Sequence, residues 1–320
     1  MANYPALKSL GRMYSMSIVD NLDLRRGDLL QLTRGGTESG RGIAWGRMIA
    51  TGNQLRSSNR NDGPGLDGKA YAAQLGADLY RKYSSEGALT VAGPFVTFGQ
   101  TSGKTFNANG DVFTGNTLMQ GYSFGLNATH FAATGIYVDG VLQGTRFVGA
   151  RANSIMGTSI NTTGWGLAAS LETGWKLNVS QRFSVTPQAQ VWLVSNKFSD
   201  TGDTFSRIGM PTDTSTVGRV GVKLSYDTSD GKGPDTSAWL RVSGLSTMSG
   251  RNMQTVFQNT QGQFGQGYNG QSPNSWMTVD AGLNVKTGKN SQIYLNIGYD
   301  TSLSNRYQGV YGRAGVQFAF

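Results

Sequence analysis

From residue 42 to the C-terminus, apolar and polar residues exchange places at every second position. In the stretch 162–178, Leu167, Ala169, Leu171, Thr173, Trp175 and Leu177 share one face, while Ser170, Glu172 and Lys176 share the other. In 214–227, Val220, Val222, Leu224 and Tyr226 oppose Arg219, Lys223 and Ser225. In 290–303, Ile293, Leu295, Ile297 and Tyr299 oppose Gln292, Tyr294 and Asn296. The chain stops on the same ladder, with Ala314, Val316, Phe318 and the terminal Phe320 on one face. Period two is the signature of a strand with one face in an apolar medium. The pattern predicts about twelve strands, at 42–51, 69–82, 87–100, 118–129, 131–146, 162–178, 181–197, 214–227, 235–248, 274–287, 290–303 and 308–320.

The first thirty residues follow another rhythm. Leu7, Leu10, Met13, Ile18 and Leu22 recur every three to five residues, with Lys8, Arg12, Asp20, Asp23 and Arg25 among them. Pro5 suits a first helical turn and Gly27 a stop, which predicts one helix over about 5–26. A polar link, Arg34 to Arg41, joins it to the first strand.

The connections also alternate. Lys82–Gly87, Thr129–His130, Asn178–Gln181, Thr228–Pro234 and Thr287–Asn290 are short. Between them, 52–68, 101–117, 147–161, 198–213 and 249–273 are long, polar and rich in Gly, Asn, Ser and Thr. Short turns at one end and long loops at the other distinguish a membrane barrel from a soluble sandwich, whose strands are shorter and bury a face each.

Composition fits that choice. Mean hydropathy is −0.33, and no run of residues has the length of about 18 apolar positions that a membrane helix needs. A barrel requires only its outward face to be apolar, so its average looks soluble. Each strand is long enough to cross a bilayer at a tilt of about 45°, and aromatic residues fall near strand ends (Tyr71, Tyr83, Trp165, Trp175) as girdles do. The expected fold is all-β: a twelve-stranded antiparallel transmembrane outer-membrane β-barrel with an N-terminal α-helix in the pore. Residues 1–34 form the linker segment and 35–320 the barrel. The absence of cysteine suits passage through an oxidising periplasm. The net charge of +9 is spread along strands rather than gathered in one run, so nucleic acid is not an expected partner. Met1-Ala2-Asn3-Tyr4-Pro5 has neither the basic start nor the apolar core of a signal peptide, so an upstream portion is expected.

An N-terminal helix followed by some twelve strands ending in Phe resembles the translocator domain of classical monomeric autotransporters. Local patterns that carry the resemblance are Trp45-Gly-Arg47, Gln74-Leu-Gly-Ala-Asp78, Tyr137-Val-Asp139, Pro187-Gln-Ala-Gln190, Gly218-Arg-Val-Gly-Val222 and Phe318-Ala-Phe320. The resemblance implies a bacterial outer-membrane location and export of the chain's own upstream passenger, with the helix left in the pore. It also implies a monomer with outer-membrane lipid, periplasmic chaperones and the barrel-assembly machinery as partners, and with no cofactor. The machinery would read Val316, Phe318 and Phe320. An open diffusion pore, or an adhesin acting through loop 249–273 with Phe257, Phe264 and Tyr268, is the alternative.

Asp20-Asn21-Leu22-Asp23-Leu24-Arg25-Arg26-Gly27-Asp28-Leu29 is similar to the self-cleavage segment of serine-protease autotransporters. That family carries Asn-Asn at the junction, and the first Asn amide attacks its own backbone carbonyl. Here the first position is Asp20, whose carboxylate has no amide nitrogen. An uncleaved junction, a substituted or deamidated one, and cyclisation at Asn21 remain open. Alternation puts the acids Asp78, Asp139, Glu172 and Asp280 on the lumenal face. They are candidates either for orienting cleavage chemistry or for pairing with Arg25, Arg26, Arg47, Arg219 and Lys223 to hold the helix. Glu172, near mid-strand, is the first choice for a helix contact.

Other chemistries lack their groups. The single histidine, His130, is expected in a short turn, which disfavours a Ser-His-Asp site. One histidine and no cysteine give no zinc site. Asn59–Asp67, with Asp62 and Asp67, only faintly resembles a calcium loop. Gly262-Gln-Phe-Gly-Gln-Gly267 follows no strand–helix junction and reads as flexible loop. An enzyme is therefore not expected.

Overall fold

The structure, a computed structural model, describes residues 3–33, 42–56, 63–107, 110–228, 235–259, 265–270, 272–304 and 306–320. Twelve long strands run antiparallel: β1 (Ile43–Leu55), β2 (Gly65–Asp78), β3 (Leu89–Phe106), β4 (Phe113–Phe131), β5 (Ile136–Ser154) and β6 (Ser159–Trp175) are followed by six more. These are β7 (Phe183–Phe198), β8 (Asp213–Thr228), β9 (Thr236–Ser249), β10 (Ser275–Lys286), β11 (Ser291–Thr301) and β12 (Tyr307–Ala319). Each pairs with its sequence neighbours, and β12 returns to β1 in register from Ile43↔Ala319 to Leu55↔Tyr307. Closure leaves no unpaired strand edge, which a hydrocarbon environment demands.

Alternation sorts the side chains by solvent. Leu295, Ile297 and Val310 stand 54%, 60% and 58% exposed on the outside. Gln292, Asn296 and Gln317 from the same wall are buried within. Aromatic side chains ring both ends of the apolar band, with Phe98, Tyr122 and Trp165 at one end and Trp175, Phe183, Tyr226 and Phe320 at the other.

The middle strands exceed the sequence expectation. β3 to β6 have 18, 19, 19 and 17 residues, so most of 101–117 and 147–161 is hairpin rather than loop. Threonine and glycine tolerate the pleat well enough for pairing to continue past the apolar band, where alternation no longer marks it. His130 accordingly lies in β4, not in a turn. It is exposed, and its Nδ1 is 2.8 Å from Thr90 Oγ1. The segments 198–213 and 249–273 also fold: Thr201–Gly202, Ser206–Gly209, Met253–Asn259 and Gly265–Gly270 make a separate four-stranded sheet. Gly265–Gly267 is thus strand rather than flexible loop, while residues 262–264 lie outside the described residues.

The N-terminal segment runs through the lumen. Helix α1 (Ala6–Val19) threads it, α2 (Leu22–Arg26) follows after a break, and α3 (Leu29–Thr33) closes the other end. The single helix expected over 5–26 is therefore two. The chain turns at Asp20, the one non-glycine with positive φ (51°) among the described residues. Leu7, Leu10, Tyr14 and Ile18 of α1 share one buried cluster with Phe95, Phe147, Trp192 and Phe198 of the wall. Tyr14 lies edge-on to Phe147 at 5.9 Å and donates to Gly121 O at 2.8 Å. A Cβ on Gly121 would stand 2.5 Å from the Tyr14 ring, so this glycine makes the seat. Leu29 and Leu32 of α3 pack on Ile43, Leu89 and Val91.

Candidate functional site: the ion-paired break in the pore helix

The junction between α1 and α2 combines two helix ends inside the barrel wall. Helix ends leave backbone donors and acceptors without partners, and here the barrel supplies them. At the end of α1, Ile18 O accepts from Arg47 Nη2 (2.7 Å) and Gln74 Nε2 (3.2 Å). At the start of α2, Leu22 N donates to Glu172 Oε2 (3.0 Å), and Leu24 N donates to Asn21 Oδ1 (3.1 Å). At its end, Arg25 O accepts from Tyr294 Oη (2.6 Å), and Arg26 O accepts from Gln317 Nε2. Gly27 then turns the chain at φ 56°, where a Cβ would stand 2.5 Å from Asn284 Oδ1.

Charges are matched across the same surface. Asp20 Oδ2 accepts from Arg47 Nη1 and Arg313 Nε, both at 2.8 Å. Asp23 pairs with Lys223 (2.6 Å) and Arg241 (3.2 Å) and accepts from Gln188 Nε2 (3.1 Å). In the opposite polarity, Arg25 Nη2 bonds both Asp139 oxygens (2.7 and 2.8 Å), and Arg26 bonds both Asp78 oxygens (2.9 and 2.5 Å). Helix acids thus meet wall cations and helix cations meet wall acids. Buried charges persist only when paired in this way.

The remaining acids divide. Glu172 touches the helix through Leu22 N, accepts from Tyr137 Oη (2.6 Å) and lies 3.3 Å from Arg219. Arg219 also donates to Gln188 (3.3 Å), so its neighbours are the residues that hold Leu22 and Asp23. Asp280 bonds Arg241 Nε (2.9 Å). Val316, Phe318 and Phe320 are 41%, 53% and 61% exposed on the outer face.

Sequence reading gave no helix-contact role to Arg241, Arg313, Gln188, Gln190 or Trp192, and missed the pairing of Asp20 and Asp23. The inward parity that selects Glu172 also selects Arg241, between Leu240 and Val242, and Arg313, preceding Ala314. What it could not supply was the height of each on its strand relative to the break.

Chemically, the junction holds Asp20 by both ends. Its carbonyl oxygen accepts from Gln190 Nε2 (2.9 Å) and Trp192 Nε1 (3.3 Å), while its carboxylate is tied to two guanidinium groups. No group of three or more potential metal ligands occurs among the described residues. Asp62 lies outside them, and Asp67 pairs with Arg56 (2.5 Å).

Above the junction, the four-stranded sheet covers the first turn of α1. Tyr4 stacks on Phe257 at 5.9 Å and donates to Asp203 Oδ2 at 2.6 Å. Burial and the Asp203 carboxylate push the Tyr4 phenol up to about 12. Lys8 pairs with Asp213 (2.8 Å) and donates to Pro211 O (2.7 Å) and to Gln254 O. Phe257 and Tyr268, offered as an adhesive patch, stack edge-on at 5.5 Å with Phe257 turned to Tyr4, and Phe264 lies outside the described residues. A cavity of about 140 Å³ remains beside α1, bounded by Arg12, Met16, Trp276, Tyr307 and Arg313.

A closed barrel with an apolar exterior, aromatic girdles and a polar interior is the architecture of a bacterial outer-membrane protein. Residues 44–298 match the family described as autotransporter beta-domain, and the chain belongs to that family. It is 25% identical over 196 residues to the adhesin BmaC autotransporter of Brucella suis biovar 1 (strain 1330). That match covers 60% of this chain and 6% of BmaC, so the chain spans a small part of that relative's length. The transport unit of the Escherichia coli autotransporter AIDA-I superposes with TM-score 0.73 at 13% identity, covering 100% of both chains. The translocator domain of NalP from Neisseria meningitidis gives 0.68 at 16% identity, over 97% of this chain and 99% of that one. The beta domain of Bordetella BrkA gives 0.66 at 20%, over 87% and 99%. At these identities the solved structures share the fold.

Proposed function

We propose that the domain inserts in the outer membrane, supports export and surface display of the segment N-terminal to α1, and is then plugged by α1 and α2. The direction of the pore helix carries this reading. Asn3 donates to Asn153 O (2.8 Å) near the β5–β6 hairpin, while Asp28 N donates to Asn284 Oδ1 (3.0 Å) at the opposite end. The N-terminal end of α1 therefore faces the hairpin side, and the chain following Asp28 packs Leu29 and Leu32 on Ile43 of β1. The ion pairs at the helix break supply the specific hold that a resident plug needs and a passing chain lacks.

At the junction, the displayed segment stays attached. Cyclisation through a side-chain amide is closed to Asp20, whose carboxylate oxygens are engaged by Arg47 and Arg313. Asp78, Asp139, Glu172 and Asp280 hold the plug rather than drive chemistry, because each is already paired or bonded. Assembly machinery engages the β12 face of Val316, Phe318 and Phe320, after delivery by periplasmic chaperones, and the barrel works as a monomer.

The test fuses a signal peptide and a folded reporter ahead of Tyr4, applies external protease and sequences any released N-terminus. Surface reporter that remains attached supports the reading. A new N-terminus at Asn21 overturns the attached junction, and a reporter retained in the periplasm overturns export.

A further inference from the structure

Cross-strand register links the outward residues of β1 to β5, β11 and β12 into rows that climb around the barrel with the tilt of its strands. One row, Leu295–Ala314–Met48–Ala73–Phe98–Tyr122–Arg146, contains the girdle aromatics Phe98 and Tyr122, edge-on at 6.0 Å. Four residues further towards the hairpin ends runs Tyr299–Val310–Gly52–Lys69–Ser102–Leu118–Arg151. The next outward row, Thr301–Gln308–Gln54–Asp67–Lys104–Asn116–Asn153, has no apolar member. On β2 to β5 the change from hydrocarbon to headgroup falls beyond the girdle positions Ala73, Phe98, Tyr122 and Arg146.

Beyond that girdle, four, six and five residues further along their strands than Ala73, Phe98 and Arg146, stand three cations: Lys69 on β2, Lys104 on β3 and, across β4, Arg151 on β5. All three are exposed. Among the described residues, none of their side chains makes an ion pair or hydrogen bond. The acid beside them, Asp67, is already neutralised by Arg56. Gly52, Ser102 and Leu118 stand low between the longer side chains, and a groove of about 900 Å³ runs over them with Lys69, Lys104 and Arg151 on its margins. Strands lie about 4.8 Å apart, so Lys69 and Arg151, three strands from one another, span about 14 Å.

We propose that this sector is a seat for the phosphorylated sugar headgroup of an outer-leaflet glycolipid. Its acyl chains would lie on the apolar band below and its phosphates between Lys69, Lys104 and Arg151. A cation held at the headgroup level beside hydrocarbon has anionic lipid as its natural partner, and arginine and lysine both bind phosphate oxygens. The groove's apolar floor, Leu118 with Val310 and Tyr299 alongside, continues into the lipid-facing surface, which favours a lipid over a free ion. The inference uses the membrane orientation of the preceding section but not export or plugging.

The test measures binding to the refolded full chain in detergent, by native mass spectrometry and by displacement of a fluorescent lipid A. Diphosphoryl lipid A, the same lipid with its phosphates removed, phosphatidylglycerol and inorganic phosphate are compared. At roughly a fivefold effect per headgroup-level cation, Lys69→Gln/Lys104→Gln/Arg151→Gln weakens diphosphoryl lipid A binding about a hundredfold. Lys69→Arg/Lys104→Arg/Arg151→Lys retains it. Heat-modifiable gel migration checks that each variant is folded, and Lys82→Gln/Lys289→Gln at the opposite end provides a folded charge control with unchanged binding. Equal binding by wild type and the triple glutamine variant overturns the proposal. So does equal binding of the phosphate-free lipid or phosphatidylglycerol, or displacement by inorganic phosphate at the concentration of the lipid itself.

Discussion

Replacing Asp139 with alanine isolates what the matched charges do. Arg25 and Asp139 are essentially excluded from solvent and share two bonds of 2.7 and 2.8 Å. Without Asp139, the Arg25 guanidinium keeps only the Val19 carbonyl (3.3 Å) of the bonds recorded for it. Breaking a buried pair by removing one partner costs about 3–5 kcal/mol, because the other charge stays behind unpaired. Replacing both partners with apolar groups of similar volume is close to neutral, since desolvation of both charges is relieved together. Asp139→Ala should therefore undock α2 locally, while Arg25→Met/Asp139→Leu should hold it nearly as well as wild type. The assay is amide hydrogen exchange of Leu22 to Arg26 in the folded barrel, with β-strand amides as internal reference. A cost of about 3–5 kcal/mol corresponds to exchange roughly 10²–10⁴-fold faster. Unchanged exchange in Asp139→Ala, or a double variant as loose as the single one, would refute the reasoning.

Other expectations follow from single contacts. Gly121→Val drives a side chain into the Tyr14 ring and should destabilise docking of α1 by about 1–3 kcal/mol. Combining it with Tyr14→Leu should recover part of the loss, read as protection of α1 from external protease. Deleting α1 and α2 should raise single-channel conductance well above that of the intact chain, and equal conductance would contradict plugging. Asp20→Asn restores a side-chain amide at the junction, and N-terminal sequencing should then find Asn21 exposed, whereas an intact chain would show that the site lacks more than that nitrogen. Tyr4 keeps its proton longer folded than unfolded. Its contribution is thus complete below the ordinary tyrosine pKa near 10 and is lost as pH rises towards about 12. Protease nicking near Tyr4 should increase across that window in wild type, and Tyr4→Phe should remove the step.

Alternation along the chain determined the barrel. A strand crossing a bilayer has hydrocarbon on one side and a polar lumen on the other, so Leu295 and Ile297 against Asn296 declare both the element and its orientation. The same parity placed Glu172, Asp139 and Asp78 inside. It failed beyond the membrane, where neither face meets hydrocarbon: the extensions of β3 to β6 and the four-stranded sheet carry no periodic mark, and 101–117 reads as loop. Helical spacing over 5–26 was legible too, but the break was not. Nothing local forces Asp20 to φ 51°; Arg47, Arg313, Gln190 and Trp192, all distant in sequence, hold it there. Which acid meets which cation depends on strand register and on the depth of the helix in the lumen. Both are set by closure of β12 onto β1 and by the seat of Tyr14 at Gly121, so only the tertiary structure could decide them.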